Sequence, residues 1–152
     1  MSLFCFELET EDYMYILTTR AEFDSAHFLS GYEGKCSNIH GHRWKVVIEV
    51  AADNLEEQGQ TRGMLVDFSK LKKDLKKETD ALDHTFIVEE GTLKESLEKA
   101  LREEGFQMIL VPFRPTAENF SKYFYSKMAG KGYKVKRATV YETPNNCASY
   151  EE

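Results

Sequence analysis

The sequence predicts an α+β fold, an antiparallel β-sheet with helices packed on one face, in the order two strands, helices, two strands. Three observations lead there. Apolar residues alternate along two early segments, helical stripes with capping signals occupy the middle, and alternation returns after Tyr133. A chain of 152 residues can bury a core of its own and is read as a single domain spanning 1–152. Residues 1–13 are expected to be a flexible or vector-derived N-terminus ahead of a natural start at Met14.

Tyr15-Ile16-Leu17-Thr18-Thr19 opens the first strand, and Phe23, Ser25 and His27 alternate on one of its faces. The glycine-bearing stretch from Phe28 to Asn38 reads as a loop. In the second strand His42, Trp44, Val46, Ile48 and Val50 share a face, with Trp44 expected in the core. After a polar connection, Asp67 or Ser69 caps a helix whose apolar stripe is Phe68, Leu71, Leu75 and Leu82. Its lysines are interleaved with acids and read as a solvated face.

Thr92-Leu93-Lys94-Glu95 has the form of a capping box, opening a second helix with Leu93, Leu97 and Leu101 inward and Gly105 as its stop. Phe106–Val111 reads as a strand or buried extended run. A third helix begins at Pro115-Thr116, carries Phe120, Phe124 and Met128 at four-residue spacing, and ends at Gly130. Tyr133–Glu142 alternates as a strand, Pro144-Asn145-Asn146 turns, and Cys147–Tyr150 pairs back as an edge. The sheet face away from the helices is expected to be apolar and to drive self-association.

Composition narrows the function. A net charge of −6 argues against a nucleic-acid partner, because gripping phosphates needs a concentrated basic surface. No apolar run approaches the ~20 residues that cross a bilayer, so no membrane partner is expected. Three cysteines in no disulfide-like spacing point to a reducing, cytoplasmic location.

The chemistry is concentrated in histidine. Three of the four histidines fall in the pattern His27-x12-His40-Gly41-His42. Two positions apart on a strand, His40 and His42 project from one face, and His27 can join them from the neighbouring strand. Three imidazoles with one open position form the donor set of catalytic zinc. Gly41 leaves the opposite face bare for close approach of another backbone. Cys36, four residues before His40, is a candidate base or nucleophile, since a nearby dication favours the thiolate. A non-catalytic zinc module is the rival reading, and it would recruit Cys36 as fourth ligand.

Asp83-His84 is the second cluster, a carboxylate able to orient an imidazole for acid–base work; the alternative is a surface histidine. Glu142 ends an apolar strand, where a carboxylate can accept paired N–H donors from a guanidine-like heterocycle, or be an ordinary strand-end acid. Glu118 is more simply a first-turn helix acid.

Together these pieces resemble the 6-pyruvoyltetrahydropterin synthase / 6-carboxytetrahydropterin synthase family. The matching residues are Phe23-Asp24-Ser25-Ala26-His27, Gly34-Lys35-Cys36 leading to His40-Gly41-His42, and Gly63-Met64-Leu65-Val66-Asp67-Phe68. They continue with Leu82-Asp83-His84, Pro115-Thr116-Ala117-Glu118-Asn119 and Tyr141-Glu142-Thr143. The resemblance implies a tunnelling (T-fold) subunit in a homo-oligomer, a trimer or dimer of trimers, with active sites at subunit interfaces.

By motif, it further implies zinc on His27, His40 and His42, Cys36 as catalytic thiol, and Asp83 and His84 as relay partners. Glu142 becomes the pterin anchor, with Thr116 and Lys35 also on the substrate, a pterin triphosphate. The three-residue gap between Cys36 and His40 resembles the bacterial queuosine-pathway 6-carboxytetrahydropterin synthases. Alternatives are pyruvoyl-tetrahydropterin formation and folate-pathway side-chain cleavage. Residues 85–114 exceed the usual connection and are read as an insertion.

Overall fold

The computed structural model describes residues 14–152, so the expectations for residues 1–13 lie outside the described residues. The elements run β1 (Tyr15–His27), β2 (His40–Ala52), α1 (Phe68–Asp80), β3 (Thr85–Glu89), α2 (Glu95–Glu103), β4 (Met108–Val111), α3 (Ala117–Ala129), β5 (Val135–Thr143) and β6 (Asn146–Tyr150). The strands form one sheet in the order β4-β3-β1-β2-β5-β6.

β1 and β2 make a long antiparallel hairpin whose register sets Phe23 against Trp44, Ser25 against His42, and His27 against His40. Their alternation sends these residues to one face, which the helices cover. Leu71 and Leu75 of α1 and Phe120, Phe124 and Met128 of α3 close over Phe23, Trp44, Val46 and Ile48. Asp67 caps α1 by accepting from the Ser69 N–H at 2.6 Å, and Thr116 caps α3 by accepting from that of Asn119 at 3.3 Å.

The expected α+β T-fold architecture is therefore the one observed, with four differences in detail. First, the sheet is mixed: β1, β2, β5 and β6 are antiparallel, while β3 runs parallel to β1 and β4 parallel to β3. The polar flanks of Phe86-Ile87-Val88 hid β3, whose Ile87 and Val88 are buried on both sides as a parallel strand requires. Second, the capping box does not form. Lys94 occupies the N-cap of α2, and Thr92 donates its hydroxyl to the Glu89 carbonyl instead. No residue of α2 is buried, so the stripe Leu93, Leu97, Leu101 faces outward or rests on the surface.

Third, Phe68 begins α1 in an exposed position, and Leu71, Leu75 and Leu82 carry the burial. Fourth, the uncovered sheet face is charged, not apolar. Arg20, Glu22 and Asp24 of β1 stand there beside Arg43, Lys45 and Glu49 of β2. Gly41 meets no tight neighbour either: a Cβ there would make ordinary contact with the Ser25 carbonyl at 3.4 Å.

The layered core makes a direct prediction. Phe120→Ala removes a fully buried ring packed on Phe23, Trp44 and Phe113 and should cost about 3–5 kcal/mol in urea unfolding. Leu97→Ala on the exposed face of α2 should change stability by less than about 0.5 kcal/mol. Equal losses in the two variants would place the core elsewhere.

Candidate functional site

The hairpin register brings His27 and His40 face to face and sets His42 one pair further along the same face. Their ligating nitrogens all lie within 4.8 Å of one another, the geometry of a group that can hold a metal ion. Cys36 is not part of that group.

Two backbone carbonyls decide which nitrogens point inward. His27 Nδ1 pairs with the Pro115 carbonyl at 2.7 Å, and His40 Nδ1 with the Asn38 carbonyl at 2.7 Å. A carbonyl only accepts, so each Nδ1 carries the proton and each Nε2 a lone pair. Those two Nε2 atoms are 3.1 Å apart. His42 Nε2 is buried with no hydrogen-bond partner. Glu142 Oε1 stands 3.7 Å from His27 Nε2 and 3.8 Å from His42 Nε2. Inward lone pairs next to a carboxylate form a cavity for positive charge. Imidazoles whose other nitrogen is tied to a carbonyl are the usual supported metal ligands, so the residues present fit a divalent ion.

Electrostatics agree. Burial pushes the His27 imidazole down to about 4, with the Pro115 bond opposing and His40 and His42 adding to the depression. Burial also lowers His42, against the pull of Glu142. At neutral pH both rings are neutral and free to ligate.

Cys36 lies half-buried in a short 3₁₀ turn at Lys35–Ser37, inside the loop that joins β1 to β2. Its carbonyl accepts from the Leu29 N–H at 2.8 Å, closing that loop on itself. Lys35 is exposed in the same turn. Thr116 spends its hydroxyl oxygen on the α3 cap, yet shares with Glu142 a cleft of about 350 Å³ that Glu118 and Arg114 also line.

Asp83 and His84 do form a pair. His84 Nδ1 meets Asp83 Oδ2 at 2.8 Å, which leaves Nε2 for acid–base work. The pair is pinned to β1, since Asp83 Oδ1 accepts from the Asp24 N–H at 2.8 Å and the His84 N–H donates to the Asp24 carbonyl at 2.7 Å. The Asp24 amide, then His84, hold the Asp83 carboxyl below its usual range. His84 adopts φ 54°, a left-handed conformation rare for a side-chain-bearing residue and concentrated at functional sites. It is 80 % exposed and borders an open cleft of about 630 Å³ with Asp24, His42, Arg43, Phe86, Leu101 and Phe106, separate from the one that Thr116 and Glu142 share. Among the described residues no hydrogen bond or ion pair joins His84 to the three-histidine cluster.

Sequence reasoning missed Pro115, Asn38 and Asp24, which work through backbone groups. No side-chain pattern marks them, although Asn38 precedes His40 by two and Pro115 opens the motif Pro115-Thr116-Ala117-Glu118-Asn119.

Comparison with known proteins gives a consistent identification. The family model described as 6-pyruvoyl tetrahydropterin synthase matches residues 16–152. A 6-carboxy-5,6,7,8-tetrahydropterin synthase of Haemophilus influenzae is 33% identical over 142 residues, covering 91% of this chain and 100% of that protein. One from Rickettsia bellii is 34% identical, covering 84% and 94%. Among solved structures, an uncharacterized protein from Wolinella succinogenes superposes with TM-score 0.73 at 21% identity, covering 92% of this chain and 99% of its own. The 6-pyruvoyl tetrahydropterin synthase of Plasmodium vivax does so with TM-score 0.67 at 20% identity, covering 93% and 99%; these two likenesses concern the fold. The chain belongs to the 6-pyruvoyl tetrahydropterin synthase family.

The buried histidine predicts a pH dependence for the metal-free protein. An unfolded imidazole binds its proton from about pH 6.5 downward, whereas folded His27 takes one up only near pH 4. Between those values the unfolded chain holds more protons, so stability falls as pH falls, by up to about 3 kcal/mol for this residue. Urea unfolding of the metal-free protein and its His27→Gln variant across that window measures the effect. Parallel profiles for the two would contradict a neutral buried imidazole.

Proposed function

We propose that this member of the family is a zinc-dependent 6-carboxy-5,6,7,8-tetrahydropterin synthase of queuosine biosynthesis. It converts 7,8-dihydroneopterin triphosphate to 6-carboxytetrahydropterin, acetaldehyde and triphosphate, in the cytoplasm. The observation that carries this reading is the convergence of ring nitrogens of His27, His40 and His42 beside Glu142, in a chain with a free thiol at Cys36. Relatives named for that activity, matched over most of the chain, support it.

His27, His40 and His42 would hold the zinc. When bound, the ion supplies a Lewis acid for the side-chain oxygens of the substrate and lowers their pKa. The protein's own groups do the rest. Glu142 receives paired N–H donors of the pterin ring, and Thr116 lines the same cleft. Cys36, as thiolate, takes the proton from the substrate's side-chain carbon, and Lys35 beside it meets a phosphate. His84, oriented by Asp83, acts as the opposing acid–base group.

Because the His84 side chain is 80 % exposed and is joined to the three histidines by no hydrogen bond or ion pair among the described residues, the complete site is read as shared between subunits of a homo-oligomer, a trimer or dimer of trimers. The T-fold is taken as one domain, with residues 85–114 as an insertion at its parallel edge. The rival member activity, formation of 6-pyruvoyl-tetrahydropterin, is favoured by the description of the matching family model. Folate-pathway cleavage would leave the same zinc cluster in use.

Products decide between them. Incubation with 7,8-dihydroneopterin triphosphate should release acetaldehyde together with the carboxypterin, and a pyruvoyl product without acetaldehyde would sink the assignment.

Two variants separate the roles of metal and thiol. His40→Ala should lose its zinc on elemental analysis. Cys36→Ala should keep it while turnover drops by about 10²–10⁴. Zinc lost from Cys36→Ala would instead make the sulfur a fourth ligand of a structural site.

A further inference from the structure

We infer that Arg114 and Tyr32 form a clamp that fixes the turn carrying Cys36, which makes both of them positioning residues for the proposed reaction. This rests on the reading of Cys36 as the reacting thiol.

Arg114 lies between β4 and α3, immediately before the Pro115 whose carbonyl fixes His27. Its Nη2 donates to the Ser30 carbonyl at 2.8 Å, reaching across to the loop that carries Cys36. Its guanidinium carbon sits 5.8 Å from the centre of the Tyr32 ring. That ring in turn rests on Gly34: a Cβ at Gly34 would lie 2.8 Å from Tyr32 Cε1, and the backbone there has φ 154°. Gly34 is the N-cap of the turn Lys35–Ser37, and its carbonyl accepts from Ser37 N at 3.1 Å and Ser37 Oγ at 2.7 Å. Contacts therefore run without a break from Arg114 through Tyr32 and Gly34 to the turn that holds Cys36.

A purely structural arginine would be a poor choice here. Its Nε is buried with no hydrogen-bond partner, a loss that a neutral or apolar side chain would avoid. What the guanidinium offers is a planar cation that bonds Ser30 and lies within cation–π range of the Tyr32 ring at once, setting the angle of the loop. The metal ligands are held separately. Pro115 is fixed by the α3 start, where the Thr116 N–H and the Asn119 side chain both donate to the Arg114 carbonyl, at 2.8 and 3.0 Å. Loosening the clamp should thus displace the thiol without releasing the ion.

The test uses the zinc-loaded protein in a Cys5→Ser, Cys147→Ser background, so that alkylation by iodoacetamide reports on Cys36 alone. Arg114→Ala should keep one zinc per chain and lower kcat by more than it raises KM for 7,8-dihydroneopterin triphosphate, since Arg114 also lines the cleft of Thr116 and Glu142. Its kcat should fall about tenfold or more, the scale expected for a misplaced reacting group, and the alkylation rate should shift. Arg114→Lys, which can still reach the Ser30 carbonyl, should recover part of kcat. Tyr32→Leu, at an exposed ring, and Gly34→Ala, whose methyl displaces that ring, should reproduce the kcat loss. If Arg114→Ala does not fold, Tyr32→Leu carries the test.

Unchanged kcat and alkylation in Arg114→Ala or Tyr32→Leu would overturn the clamp, as would a kcat loss that merely tracks lost zinc. Cys36→Ser is assayed alongside. Full turnover in that variant defeats the thiol reading itself, whereas the alkylation rates still decide whether the clamp exists.

Discussion

Two imidazole lone pairs facing each other at 3.1 Å are the constraint on which the rest depends. Each points inward because its ring's other nitrogen is tied to a carbonyl, Pro115 for His27 and Asn38 for His40. Two acceptors that close repel unless something positive lies between them. A shared proton would serve in acid, but burial holds His27 down to about 4, so near neutrality a divalent cation held by this group would resolve the contact. The unpartnered His42 Nε2 and the Glu142 carboxylate border the same space, and both gain from the same charge. The polar atoms left unsatisfied in the folded core are concentrated here as well: Ser25 pairs across the hairpin with His42, Trp44 packs edge-on against His27 and His42, Thr143 follows Glu142, and Arg114 precedes Pro115. Polar groups left without partners in a folded interior call for a functional explanation.

This site can only exist in the finished fold. The hairpin supplies the three rings, but a slip of one residue between β1 and β2 would send one strand's histidines to the charged face. The aromatic pair Phe23–Trp44, stacked at 6.1 Å between centroids beneath the histidines, opposes such a slip by filling the core below them. The acceptor for His27 arrives from 88 positions away, at the start of α3. Helix α3 is in turn seated by Phe120, Phe124 and Met128, so the aromatic core and the ligand geometry are set together.

Much of this was legible in sequence because it rests on side-chain periodicity. Alternation located β1, β2 and β5, four-residue spacing located α3, and the His-x-His pattern with a third histidine upstream located the cluster. What stayed hidden rests on backbone or on context. β3 is short and buried on both faces, so it shows no alternation, and its parallel pairing has no local signature. The capping-box pattern at Thr92 was present but lost to a competing turn, in which the hydroxyl bonds Glu89. The partners of the histidines and of Asp83 are main-chain atoms, and any residue type offers those.

The charged outer face changes how self-association should be understood. An apolar face would have driven it by burial alone and with little regard for angle. The face observed pairs Arg43 with Asp24 at 2.9 Å and sets Glu49 near Arg137 at 3.7 Å, so its charges are already partly matched within one chain. A second copy docking there gains little from new ion pairs at exposed positions, but mismatched charges would be penalised, which favours one orientation over many. The apolar wall of the His84 cleft, from Phe86, Leu101 and Phe106, then offers the burial that the charged face lacks. In the proposed oligomer the same residues that line the acid–base histidine would supply the adhesion, and assembly and completion of the active site would be one event.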